Sequence, residues 1–295
     1  MEQFRDEVDG ILCLEWTTIV KRIIVKAKNA IKESGLLPSF NVRKKLAALH
    51  LRGEGLEIGA LHLPLNIPRN VKVKYVDIAT RDENIRRFPE LDASRIVNTD
   101  YLENGFELVT IPASSQDFII ANHVLEHAGN PLKVLLNWGR VLKPDGILLV
   151  TVPVAARCFD RGRRETTLEH FMEDYRVEEE GDGAQFRERN REHFLEWLQV
   201  SEPNLARARG DAEAIMDGST LEKRLEEMSR ADDVEIHFHT FSETSYKRVM
   251  EHFAAHVAGN FQVMDICLSR GGAEVAAVLK KLQCNNDELT GQIND

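Results

Sequence analysis

The stretch Gly53-Glu-Gly-Leu-Glu-Ile-Gly-Ala60 constrains this chain more than any other. It reads as a short buried strand running into a glycine turn, with an acid, Glu57, two positions before Gly59. Twenty positions further on (77 − 57), a second apolar run, Val71-Lys-Val-Lys-Tyr-Val76, closes on Asp77. A strand, a tight turn and an acid ending the next strand make half of a nucleoside-binding α/β unit. A residue without Cβ lets the backbone approach a ligand, and a carboxylate can accept from both hydroxyls of a ribose. A turn built for a diphosphate keeps glycines further along. Leu61 and Leu63, followed by Pro64, take those places here, which points to a nucleoside lacking a diphosphate.

Strands and helices alternate from 53 to 153. Leu56–Ile58, Val71–Val76, Arg95–Val97 (ending near Asp100), Asp117–Ala121 and Ile147–Val152 read as strands. Pro131–Leu142 reads as a helix with Val134, Leu135, Trp138, Val141 and Leu142 on its apolar face, and Lys143–Gly146 as the turn that stops it. Such alternation predicts a parallel sheet with helices on both faces. Residues 157–233 break the rhythm. They are rich in Arg and Glu with thin apolar stripes, which predicts an inserted helical cap rather than a second core. Val234–Phe241 reads as extended, and Ser242–His256 as a helix capped by Ser242. Gln262–Leu268 and Ala273–Leu279 read as a hairpin around Ser269–Gly272. Residues 4–33 read as an amphipathic helix whose second half is basic through Lys21, Arg22, Lys26, Lys28 and Lys32. The expected organisation is a helical extension at 1–50, a nucleoside-binding core at 51–156, the cap at 157–233 and completion of the core at 234–295.

Composition narrows the function. At 295 residues, 43% hydrophobic and 29% charged, the chain is an ordinary globular protein, and its net charge of −10 disfavours a nucleic-acid partner. The four cysteines, Cys13, Cys158, Cys267 and Cys284, show no metal-type pairing and fit reduced thiols in a cytoplasm. No apolar run approaches the ~20 residues that span a bilayer. The basic helix face suggests at most weak association with an anionic membrane surface, and the extension and cap suggest a homodimer.

Several blocks in the expected order resemble the class I S-adenosylmethionine (SAM)-dependent methyltransferases, of the kind called methyltransferase type 11-like. They are Glu57-Ile-Gly-Ala60, Asp77, Asn98-Thr-Asp-Tyr101, Asp117-Phe-Ile-Ile-Ala-Asn-His-Val-Leu-Glu-His127 and Leu142-Lys-Pro-Asp-Gly-Ile-Leu-Leu-Val150. The segment Phe159–His170 looks like a bacterial subgroup associated with cell-surface polysaccharide synthesis. The resemblance implies a Rossmann-like, doubly wound, mostly parallel seven-stranded sheet with a C-terminal antiparallel hairpin. It implies SAM as cofactor and methyl transfer to a small-molecule or carbohydrate acceptor, with oxygen expected before nitrogen. It places Glu57, Gly59, Ala60, Asp77, Ile78, Asp100, Tyr101, Asn122 and His123 around the cofactor. In that picture Asp77 holds the ribose hydroxyls, and Asp100 accepts from the adenine amino group beside Tyr101. A catalytically inactive scaffold and an NAD-binding oxidoreductase remain as alternatives.

An alcohol acceptor needs a base, and histidine suits neutral pH. His170 is the first expectation, His239 the second and His237 the third; His127 is expected to be structural. His170 and Asp174 share a helix face at i, i+4 spacing, and His237 and His239 are expected to share a strand face. These four could hold a divalent metal, but a hydrogen-bonded network without metal is the expected arrangement. Arg157, Arg161, Arg163 and Arg164 could either bind an anionic group on the acceptor or bridge to the acidic cap.

Overall fold

The structure, a computed structural model, describes residues 42–181, 183–210, 217–231 and 234–283. The expected helix at 4–33, Cys13 and Cys284 lie outside them. Helix α1 (Val42–His50) turns Val42, Leu46 and Ala47 inward. With Leu51 they pack against Phe118, Ile120 and Leu149 of the sheet, so the packed body begins before residue 51.

Seven strands form one sheet: β1 (Glu54–Ile58), β2 (Lys72–Asp77), β3 (Tyr101–Leu102), β4 (Gln116–Asn122), β5 (Leu142–Pro153), β6 (Phe261–Leu268) and β7 (Glu274–Lys281), in the order β3-β2-β1-β4-β5-β7-β6. The first five run parallel, and β7 lies antiparallel between β5 and β6. Phe118, Ile119, Ile120 and Ala121 are wholly buried, as a central parallel strand covered on both faces requires. Gly55 permits the close fit of β1 on β4, since a Cβ there would lie 2.2 Å from the Phe118 carbonyl. Strand order reverses between β1 and β4, so a crevice opens at their carboxyl ends.

Helix α2 (Arg81–Arg87) starts at a capping box between Thr80 and Glu83. Helix α3 (Pro131–Val141) starts at Asn130, whose side chain accepts from the Lys133 N–H, and buries Leu132, Leu135 and Trp138. The Trp138 indole donates to the Gly105 carbonyl at 2.7 Å, tying the helix to the loop after β3. Helix α8 (Glu243–His252) begins at the expected cap, Ser242, and buries Tyr246, Val249 and Met250.

The cap comprises α4 (Leu168–Glu179), α5 (Gly183–Glu196), a π-helical turn (Trp197–Ser201), α6 (Glu202–Arg209) and α7 (Gly218–Arg230). Contrary to expectation it has a small apolar core: Phe194, Leu198 and Leu225 close on Ile236 and Phe238 of the following segment. Those two residues supply the apolar partners that the cap helices lack.

Three further expectations change. The third strand is not at 95–97: Asp92 caps a 3-10 turn over Ala93–Arg95, and the strand is Tyr101–Leu102. Lys143–Gly146 is an irregular start to β5, where the register against β4 shifts and Asp145 takes φ 64°. Residues 234–241 join no ladder beyond a single bridge from Phe241 to Val154, and Phe238 and His239 donate instead to the Glu126 carbonyl.

Candidate functional site

A cavity of about 1200 Å³ lies at the carboxyl edge of the sheet. Gly59, Ile78, Asn104, Phe106 and His123 line one end, and Phe186, Asn190, Phe194 and Phe238, under the cap, line the other. It exceeds the ~300–1,000 Å³ of most single-ligand pockets, and so has room for two partners side by side.

Glu57 organises the turn at the first end. It is buried, and both its oxygens accept from the Leu65 N–H, at 2.9 and 3.1 Å, which folds residues 59–65 back onto β1. Asn122 adds a donor at 3.3 Å, while the Asn122 Oδ1 is buried without a partner. Burial pushes the Glu57 carboxyl up to about 7 despite the bonds to Leu65 and Asn122. Gly59 sits at φ 63°, where L side chains are strained. Leu61, in the place of an expected loop glycine, takes the left-handed φ of 47°.

The expected cofactor residues divide by strand register. Asp77 ends β2 and closes a tight turn by accepting from the Ala79 N–H on Oδ1, at 3.0 Å. Ile78 follows, exposed in the cavity wall. Ala60 is buried behind the turn. Of the nine expected residues only Gly59, Ile78 and His123 line the cavity; Glu57, Ala60, Asp77 and Asn122 stand within two residues of them in sequence, and Asp100 and Tyr101 lie elsewhere. The Asp100 carboxylate accepts from the Tyr75 N–H at 2.8 Å, two residues short of the edge, and Tyr101 pairs with Val76. Asn104 and Phe106, beyond the strand end, stand where Asp100 and Tyr101 were expected. Only the pairing of β3 with β2 reveals that offset.

His123 ends the run after β4 at φ 57°, a strained conformation for a non-glycine residue. Its ring lies 3.0 Å from a Glu274 oxygen and 3.5 Å from Glu126. Burial would lower its pKa, but the neighbouring Glu126 and Glu274 carboxylates outweigh it and raise it to about 9. At neutral pH His123 is therefore an imidazolium. Glu274 also meets Arg43 at 3.3 Å, so helix α1 braces the same corner.

None of the three histidines expected to act as base lines the cavity. Between His237 and His239, Phe238 is the side chain that faces it. His237 meets Asp160 at 2.6 Å behind the wall, and His239 is buried beside the Gly129 carbonyl at 3.3 Å. His170 joins His239 in a cluster with Asp174 and His193, not with His237. His193 was not expected, because in sequence it is one polar residue among many in α5. His127 does line the cavity. Burial lowers its pKa; His237 also lowers it, while Glu126, Glu235 and a bond to the Ile236 backbone oppose the shift.

Of the arginine group, Arg163 is spent inside the protein. Its guanidinium donates to the His237 and Phe238 carbonyls at 2.6 and 2.8 Å and meets Asp160 at 3.3 Å. Arg157 and Arg161 line a separate, smaller cavity with Asn204 and Arg207.

A family model described as "Methyltransferase domain" matches residues 43–255. A SAM-dependent methyltransferase from Aquifex aeolicus is 11% identical over 84% of this chain and 89% of its own, with a TM-score of 0.40. One from Thermotoga maritima, described as a possible histamine N-methyltransferase, is 14% identical over 90% of this chain and 99% of its own, at 0.41. The PH0226 protein of Pyrococcus horikoshii is 15% identical over 87% of this chain and 91% of its own, at 0.42. No curated protein matches.

The buried acid gives a measurable pH dependence. Glu57 binds its proton more tightly in the folded chain, at about 7 against the usual 4.5. It therefore favours folding most below pH 4.5, loses that contribution as pH rises toward 7, and changes little above. The shift corresponds to about 3 kcal/mol between protonation states. Glu57→Gln, which keeps an acceptor for Leu65, should stabilise the ligand-free chain at pH 8 and flatten its stability between pH 5 and 7. Urea unfolding at both pH values measures this; a variant less stable than the parent at pH 8 would contradict it.

Proposed function

The chain belongs to the methyltransferase-domain family, and on that footing we propose that it methylates a hydroxyl oxygen of a small-molecule or carbohydrate acceptor, with SAM as donor. The observation that carries the reading is the cavity itself: one part lies at the carboxyl edge of the sheet, by Gly59, Ile78 and His123, and another, lined by Phe186, Phe194 and Phe238, beneath the cap.

The residues at the edge fit the donor. Gly59 presents bare backbone, and a Cβ there would press on Val124 at 3.3 Å. The Asp77 Oδ2 has no donor among the described residues and is available to a ribose hydroxyl. The unpartnered Asn122 Oδ1 is available to an ammonium group, beside the Glu57 carboxylate. Protonated His123 offers a positive charge to the carboxylate of the methionine moiety. Bound SAM supplies a methyl group on a sulfonium, activated for in-line displacement.

What remains for the protein is alignment and removal of one proton. An imidazolium cannot take that proton, which excludes His123 at neutral pH. His127 is neutral there, lines the cavity, and bonds to the Ile236 backbone. That bond orients the ring and leaves its other nitrogen to accept, the arrangement of an oriented general base. In this reading His127 takes the place expected for His170, His239 or His237. Phe186, Phe194 and Phe238 offer ring faces to the C–H surfaces of an acceptor, and Asn190 a polar contact.

Asp77→Ala should weaken SAM binding by about 1–3 kcal/mol, the cost of losing a charged acceptor. Titration calorimetry reads it, and unchanged affinity rejects the ribose placement. His127→Gln should leave SAM affinity unchanged and slow turnover by roughly 10²–10⁴. In the parent the acid limb of the rate profile should fall below pH 6.5, since His127 sits below that ordinary value. Full turnover in His127→Gln with an accepted alcohol would place the base elsewhere.

A further inference from the structure

We propose that His170, Asp174, His193 and His239 form a four-coordinate site for a divalent transition-metal ion of the zinc type, pinning the cap to the segment that enters α8. The sequence suggested a metal-free network drawn from a different quartet; three features of the assembled cluster favour an ion.

The first is geometry. One donor atom from each of the four residues lies within 4.8 Å of every other. The His170 Nε2 is 3.2 Å from the His193 Nε2 and 3.2 Å from the Asp174 Oδ2. Zn–N and Zn–O bonds of ~2.0–2.2 Å separate tetrahedral ligands by about 3.3–3.6 Å.

The second is proton counting. A ring nitrogen carries one proton or one lone pair. The His170 Nε2 cannot donate to Asp174 and also make a linear bond with the His193 Nε2. The Asp174 Oδ2 and the His239 Nδ1 are buried without a hydrogen-bond partner. A cation in their midst uses every lone pair that such a network leaves over. Three imidazoles and a carboxylate suit zinc rather than magnesium or calcium, which take oxygen ligands.

The third is the surrounding shell. Arg189 donates to the Asp174 Oδ1 and, at 3.3 Å, to the His170 carbonyl, which turns Oδ2 toward the histidines. The His239 Nε2 reaches the Gly129 carbonyl at 3.3 Å, which leaves the unpartnered Nδ1 as the nitrogen that faces an ion, the way a backbone contact orients a metal-bound imidazole. Two cations face the cluster, Arg189, whose bond to Oδ1 partly offsets the carboxylate charge, and the buried Arg163, which acts on His193 and His239. Asp174, His193 and His239 are buried, and half-buried His170 gives an ion access.

The ligands come from α4, α5 and residue 239, so an ion would join two cap helices to the strap that carries Phe238 into the cavity wall. Four side chains fill a tetrahedron, so the role is structural. The test needs no cofactor. The full chain, stripped with a chelator, is titrated with Zn²⁺ and separately with Co²⁺. One ion per chain, the visible bands of tetrahedral Co²⁺, and a higher unfolding midpoint with Zn²⁺ are expected. Asp174→Asn and His170→Asn, the latter at the most exposed of the four positions, should each abolish the bands. His252→Ala, in a separate histidine pair with His256, should keep them. Absence of the bands in the folded, stripped parent, or their survival in either folded ligand variant, overturns the site.

Discussion

A buried carboxylate fixes the turn on which the ligand edge depends. Glu57 lies next to the end of a buried strand, and its burial is only partly offset by the charge of Arg43. It is held by the Leu65 N–H and the Asn122 amide, and burial still leaves it reluctant to ionise. That contact curls residues 59–65 over the end of β1 although leucine stands where a glycine would relieve the backbone at residue 61. A bound ammonium near Asn122 would ease the ionisation, so the strain stored at this edge has a natural ligand-dependent release.

The cavity draws its charge from an unusual corner. The Glu126–His123–Glu274–Arg43 chain carries two acids and two cations across β4, β7 and α1. It raises the pKa of His123, at a left-handed φ, while burial lowers that of His127, four residues on, so two histidines of one motif are shifted in opposite directions.

Much of the fold was legible because its signals are local. The apolar run of β4, the Asn130–Pro131 start of α3, the Ser242 cap and the hairpin turn each reside in a few adjacent residues. What the sequence concealed depends on pairing between distant segments. Asp92 and Arg81 fix residues 93–96 in a turn, so the third strand lies further along and Asp100 falls short of the edge. The positions of Asp77, the last residue of β2, and His123, just past β4, were legible because the limits of those strands were read closely. The facing of residues 234–241 was hidden because they alternate without a ladder partner: Phe238 faces the cavity and the flanking histidines do not. His193 gave no signal at all; it gains meaning only where α5 meets residue 239.

The account turns on the seat of the donor. A crystal structure with S-adenosylhomocysteine tests it most directly. The account predicts the ribose hydroxyls on Asp77, the base between Ile78 and the Asn104–Phe106 loop, and the sulfur beside His123 and His127. A nucleoside bound away from the ends of β1 and β2, or an edge closed by its own side chains, would contradict it.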